Sequence, residues 1–487
     1  MAHLMFLAAK LLALVLASFV HGTMANGVLE VRRKFPIIGR GGKSSDIGVL
    51  QTHDRSRHCR RLEAADLPLG GVGADGSGIY YTEIGIGAPA MQYYVQVDTG
   101  SSSFWVNGIS CRQCPRESSV VSKLTLYDPL ESVTSRAVQC DDVFCTSKQS
   151  AVQPNCSRSS KCPYYFSYGD GGATAGWFYK DLMHYRQLSG NNGQTQPTNA
   201  SVIFGCAAQN SGSLNITELA VDGIIGFSNS NNTLLSQLAA AGKTKKIFSH
   251  CLDSRNGGGI FAIGEVVEPK VKTTPLANNQ SKYHLVNLTS IDVDNTALQI
   301  PANIFGTTDS KGTMVDSGTA LAYLPGIVYS ELMLAIFAKH KNITLRNVDD
   351  LECFEYLNST NDGFPNITFK FQGDLTLDVY PYDYLFEFED NQYCVGFQDA
   401  SRNVGMGEDG VVLGEMVISD KLVIYDMENH VIGWTEYNCS SSIKIKDEET
   451  GATYTVNANN ISSGWIYQWQ MHWIMPLVIM VSSYLVS

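Results

Sequence analysis

Between Ile79 and about residue 440, hydrophobic positions come in short runs rich in β-branched and aromatic residues, broken by Gly, Asn and Asp. That texture predicts strands and turns, hence an all-β body. One run, Tyr93-Tyr94-Val95-Gln96-Val97, leads into Asp98. A much later one, Gly312-Thr313-Met314-Val315, leads into Asp316. Helical apolar spacing bounded by Gly or Pro predicts short helices over 231–241 and 326–340.

The two ends break this texture. Residues 5–20 are mostly apolar, interrupted by Lys10, and read as part of a signal peptide (1–25) cleaved near Gly22 to Ala25. At the other end, Ser462-Ser463-Gly464 precede a polar-aromatic spacer and an apolar tail from Trp473. Small residues, spacer and tail are the parts of a GPI-attachment signal (465–487), with Ser462 or Asn460 as candidate attachment residues and Asn459 as another. A single membrane span and a buried tail are the alternatives; the run is short for a span, and no basic residues follow it.

Charge separates a leader from the body. Arg32, Arg33, Lys34, Arg40, Lys43, Arg55, Arg57, Arg60 and Arg61 crowd residues 26–78, whereas the whole chain carries a net charge of −12. A cationic leader before an acidic body reads as a propeptide that lies over an acidic cleft and leaves when carboxylates protonate; a solvated linker is the alternative. The acidic balance argues against nucleic acid as a partner. The 487 residues suit two lobes, placed at 79–275 and 283–440, with a linker over 441–464.

Asp98-Thr99-Gly100-Ser101 and Asp316-Ser317-Gly318-Thr319 share one grammar: apolar strand, Asp, hydroxyl residue, Gly, hydroxyl residue. Alone, Asp-x-Gly marks a turn. As a pair, the motifs supply what peptide hydrolysis needs when neither metal nor covalent intermediate is used, namely two carboxylates sharing one proton about a water. Glycine permits close backbone approach. The Thr99 and Ser317 hydroxyls are expected to bond across the turns, and those of Ser101 and Thr319 to bond the outer carboxylate oxygens. A second repeat follows each motif: Asp222-Gly223-Ile224-Ile225-Gly226 and Gly410-Val411-Val412-Leu413-Gly414. Between aromatic runs, Tyr168-Gly169-Asp170-Gly171 opens a Gly-rich turn, read either as a surface hairpin or as a lid over the cleft. No Lys or helix start follows at the spacing a phosphate loop needs.

Together these residues resemble the pepsin-like aspartic proteases, and most the plant atypical, nepenthesin-like group with its GPI-anchored members. The resemblance runs from about Gly78 to Cys439. It includes Val97 to Ser102 with Trp105, Val315 to Thr319, the Tyr168 turn, Phe248 to Leu252, and Gly433-Trp434. It implies a bilobal acid-protease fold and a central cleft under a β-hairpin flap, with Trp105 bonded to the flap Tyr168. It also implies an endopeptidase working on extended polypeptides as a monomer with no cofactor or metal. Gly172, Gly108 and Glu415 stand where relatives usually carry Ser, Cys and Asp.

Twelve cysteines invite either zinc or disulfides. Eleven Asn-x-Ser/Thr sequons (Asn155, Asn199, Asn215, Asn231, Asn279, Asn287, Asn342, Asn358, Asn366, Asn438 and Asn460) point to a glycosylated secretory protein, hence to disulfides. Candidate partners are Cys111, Cys114, Cys140, Cys145, Cys156 and Cys162; the family resemblance implies Cys353 with Cys394 and Cys206 with Cys439. Removing a leader that holds Cys59 leaves eleven cysteines, so one thiol lacks an intrachain partner. His250 beside Cys251 reads as a core or surface histidine. The rival functions are a non-catalytic binding or inhibitor relative, and a glycosidase, which has no need of two matched Asp turns. The expected locations are the secretory pathway and then the outer face of the plasma membrane, through the GPI anchor, or the outside of the cell as a secreted protein.

Overall fold

The computed structural model describes residues 27–33 and 80–458, apart from loops at 119–120, 122, 147–155, 169–171, 189–194, 218–219, 255–257, 278–280, 302, 306–311, 349–350, 390, 403–409 and 447–450. The signal peptide, most of the leader and the GPI signal lie outside the described residues, as do Asn155, Asn279, Asn460, Ser462 and the flap-tip residues Gly169, Asp170 and Gly171.

Strands dominate, and the two halves repeat one topology. In the first, Met91–Asp98 runs parallel to Gly223–Gly226, which runs antiparallel to Phe104–Arg112. In the second, Thr313–Val315 runs parallel to Val411–Leu413, which runs antiparallel to Ala322–Leu324. Each Asp therefore sits at a strand end, on a turn whose two flanking strands are wedged apart by a later strand. The glycines ending the wedges are required by that closeness. A Cβ on Gly226 would stand 2.3 Å from the Ser101 carbonyl oxygen, and one on Gly414 would stand 2.5 Å from that of Thr319.

The halves are joined by a shared sheet. Ile247–Leu252 pairs on one side with Gly259–Ile263 and on the other with Lys421–Asp426, which pairs with Val431–Glu436. Residues 421–436, assigned to the second lobe from sequence, thus extend a sheet begun by the first. The expected propeptide contributes as well: Gly27–Arg33 lies between Gly259–Ile263 and Tyr80–Ile86 as an antiparallel strand. The shared sheet carries a fully buried aromatic pack of Phe227, Phe248, Phe261 and Tyr425 beside the two Asp turns, with ring centroids 4.4–5.7 Å apart. Burial of each such ring contributes roughly 1.5–3 kcal/mol.

The two expected helices form as Leu234–Ala240, capped by Thr233 accepting from the Ser236 N–H, and Gly326–Ile336. Within the segment read as a linker, two stretches are strands. Ser442–Lys446 and Thr453–Asn457 form a hairpin that adds to Glu265–Glu268 and buries Ile443, Ile445 and Val456.

Five disulfides join described residues: Cys111–Cys114, Cys140–Cys156, Cys145–Cys162, Cys353–Cys394 and Cys251–Cys439. The last corrects the expected Cys206–Cys439 pair. Cys251 faces Leu422 across the shared sheet, and the chain returns beside it along Val431–Glu436 to Cys439. Cys206 lies several strands away, opposite Val106 and Trp177. It is the free, buried thiol among the described cysteines, with burial pushing its pKa up to about 12. Its neighbour is Gly108, where a Cβ would stand 2.5 Å from the Cys206 sulfur and 2.6 Å from the Ala207 carbonyl oxygen. Gly108→Cys is therefore expected to cross-link to Cys206 after a small strand shift. Peptide mapping of unreduced, alkylated protein checks this. The Cys206 peptide should be alkylated in the wild type and joined to the residue-108 peptide in the variant.

Candidate active site

Asp98 and Asp316 are both fully buried, so their oxygens must find donors inside the protein. Each turn supplies the same pair. The Gly100 N–H donates to Asp98 Oδ1 at 2.8 Å, and Ser101 Oγ donates to Asp98 Oδ2. The Gly318 N–H donates to Asp316 Oδ1 at 2.8 Å, and Thr319 Oγ1 donates to Asp316 Oδ2 at 2.7 Å. Donors to the ionised oxygens favour the carboxylate form.

Thr99 and Ser317 each reach across to the opposite turn. The Ser317 N–H donates to Thr99 Oγ1 at 2.9 Å, and Thr99 Oγ1 lies 3.4 Å from both the Val315 carbonyl and Asp316 Oδ1. Ser317 Oγ is 3.5 Å from the Val97 carbonyl. The turns are thereby held face to face. Gly100 marks how close they come. A Cβ there would stand 2.5 Å from Asp316 Oδ2, while its own N–H holds Asp98. The two carboxylates therefore meet at Gly100.

The hairpin that begins at Tyr168 is anchored by that residue to the strand following the Asp98 turn. The Tyr168 hydroxyl accepts from Trp105 Nε1 at 2.6 Å and lies 3.2 Å from Ser103 Oγ. The Tyr168 N–H closes the turn on the Gly172 carbonyl at 2.7 Å. Ser103 did not stand out in the sequence; its place two residues beyond Ser101 becomes informative only once Tyr168 packs beside it.

The zinc reading of the cysteines does not hold for the described residues. Cys140, Cys145 and Cys156 bring their sulfurs together because two disulfides lie side by side. His250 is fully buried, and Cys251 is locked in a disulfide, so no thiol–imidazole pair exists there. Of the described sequon asparagines, Asn199, Asn215, Asn231, Asn342, Asn358, Asn366 and Asn438 are exposed; Asn287 is half-buried and donates to Gln372 Oε1.

Sequence reasoning also passed over the electrostatic weight of Asp222. This buried carboxylate accepts the Tyr94 N–H at 2.7 Å and the Thr125 N–H at 2.6 Å, tying the wedge strand to its neighbours. Burial nevertheless pushes its pKa up to about 7 against those two donors.

Family models described as "Xylanase inhibitor N-terminal" and "Xylanase inhibitor C-terminal" match residues 80–265 and 282–436. Aspartic proteinase 36 of Arabidopsis thaliana is 44% identical over 456 residues, covering 93% of this chain and 92% of that one. Aspartic proteinase 39 of the same plant is 42% identical, covering 93% of each. Among solved structures, edgp matches with a TM-score of 0.60 at 17% identity over 86% of this chain and 96% of its own. Basic 7S globulin from soybean matches with a TM-score of 0.59 at 16% identity, over 85% and 96%.

The raised Asp222 pKa gives a signed expectation. The folded state binds this proton more tightly than the unfolded chain, so the contribution is full below about pH 4 and is lost as pH rises through about 7. Asp222→Asn should be less stable throughout and should lose on the order of 3 kcal/mol of the stability gained between neutral and mildly acidic pH. Urea unfolding of both proteins at the two pH values measures the difference.

Proposed function

The chain belongs to the plant branch of the pepsin-like aspartic protease family, and from that premise we propose that it is an acid-active endopeptidase whose catalytic groups are Asp98 and Asp316. The observation carrying this reading is that both carboxylates are buried at one point, each with an N–H and a hydroxyl donor of its own. Like charges so placed disfavour double ionisation, and the pair shares one proton. The ionised partner takes a proton from a water as it attacks the peptide carbonyl. The protonated partner polarises the carbonyl oxygen and then supplies the leaving nitrogen. Tyr168, held by Trp105, closes over an extended chain and excludes bulk water.

On the same reading, the leader strand Gly27–Arg33 belongs to a precursor, and maturation removes it. The apolar N-terminal segment, the sequons and the five disulfides support passage through the secretory pathway. The tail supports GPI attachment at the outer face of the plasma membrane. The rival reading, a binding or inhibitor protein, draws on the inhibitor descriptions of the matching family models. Against it stands the complete set of donors to both carboxylates.

Cleavage of denatured globin by leader-free protein, followed over about pH 2 to 8, should peak on the acid side and vanish with pepstatin. Asp98→Asn and Asp316→Asn should each cost about three orders of magnitude or more in kcat. Folded protein with no cleavage at any pH would favour the binding reading.

A further inference from the structure

The three residues that follow the wedge strand Gly223–Gly226 are gripped from two sides. Toward the first turn, the Phe227 N–H donates to the Asp98 carbonyl at 2.8 Å, and the Ser228 N–H donates to the Ser101 carbonyl at 3.0 Å. Toward the second half of the chain, the Phe227 carbonyl lies 2.8 Å from His284 Nε2, and Asn229 Nδ2 donates to the Ser281 carbonyl at 2.9 Å. His284 directly precedes Leu285–Val286, the strand whose partners are Met314 and Thr313, in the strand leading into Asp316. Phe227 therefore stands between the backbone of Asp98 and the strand that carries Asp316. His284 is 1% exposed, and Phe227 and Asp98 are 0% exposed, so these bonds are made away from water.

We propose that His284 is a positioning residue for the dyad, its Nε2–H clipping Phe227, and through it the Asp98 backbone, to the strand that leads into Asp316. The proposal rests on the reading that the dyad is catalytic. Its direction follows from the groups involved. The Phe227 carbonyl only accepts, so the proton sits on Nε2 and the neutral ring has a bare Nδ1. Nδ1 has no hydrogen-bond partner among the described residues, so a second proton there would add a buried charge and an unpaired donor together. Burial accordingly holds the His284 pKa down to about 4, although the Phe227 carbonyl and the Asp316 charge both favour protonation. The titratable groups facing the ring are Asp316 and Tyr425, whose ring lies 4.8 Å away and also meets that of His250 at 5.6 Å. The clip is thus a neutral imidazole through most of the acidic range. It holds the main chain behind Asp98, whereas Thr99 and Ser317 hold the turns from the front.

Two substitutions separate the donor from the packing. His284→Phe keeps an aromatic ring and removes the N–H; His284→Gln keeps a side-chain N–H at similar reach. The Phe variant should lower kcat about tenfold or more with KM within about twofold, because the change lies in how the two carboxylates are held and not in contact with substrate. The Gln variant should recover kcat to within about threefold of the wild type. Equal losses in the two variants, a Phe variant with unchanged kcat, or an effect confined to KM would overturn the proposal. A second readout needs no catalysis: nitrogen NMR of histidine-labelled protein above about pH 5, with the His284 signals assigned by their loss in the Gln variant. A neutral ring protonated at Nε2 is the expected result; an Nδ1–H tautomer or a doubly protonated ring would refute the clip. If the wild type fails to cleave, the dyad reading falls, while the NMR result still decides whether His284 clips Phe227.

Discussion

The Ser317 N–H donating to Thr99 Oγ1 is the contact on which the rest depends, because it ties a turn from one half of the chain to its counterpart 218 residues away. Neither half holds a useful site alone. Each offers one buried carboxylate with two donors, and only the cross-turn bond brings the two together at Gly100. A buried hydroxyl paired in this way is worth about 1 kcal/mol in stability. Its consequence for chemistry is larger, since proton sharing depends on separation.

The surrounding architecture serves that registration. The wedge strands Gly223–Gly226 and Val411–Leu413 set the direction of each turn, and the glycine ending each wedge lets it close on a carbonyl of the turn. Below, the sheet built from both halves is pinned by Cys251–Cys439 and filled by aromatic rings. The hairpin over 442–457 covers part of this sheet and buries Ile443 and Ile445. Gly27–Arg33 completes the same sheet between Gly259–Ile263 and Tyr80–Ile86.

How much was legible in the sequence depended on distance along the chain. Asp98, Asp316 and their glycines were visible because the motif is local and occurs twice. The helices at 234–240 and 326–336 were visible from spacing. Tyr168 bonding to Trp105 was implied by family resemblance, and the geometry supplies the bond. What stayed hidden was long-range pairing. Cys206 and Cys251 look alike in sequence, and only strand order shows which one Cys439 can meet. Tyr425 looked like one more core aromatic because its partner, His250, is 175 residues away. The hairpin at 442–457 was read as linker because two short alternating runs separated by charged residues give a weak signal.

The central claim is that Asp98 and Asp316 act as one unit. A double-variant cycle tests it most directly, comparing kcat for Asp98→Asn, Asp316→Asn and the combination in one folded, leader-free preparation. The account predicts that the combined variant is no slower than the worse single one, because either loss already destroys the shared-proton state. Losses that add, or a single variant that retains most of its activity, would contradict it.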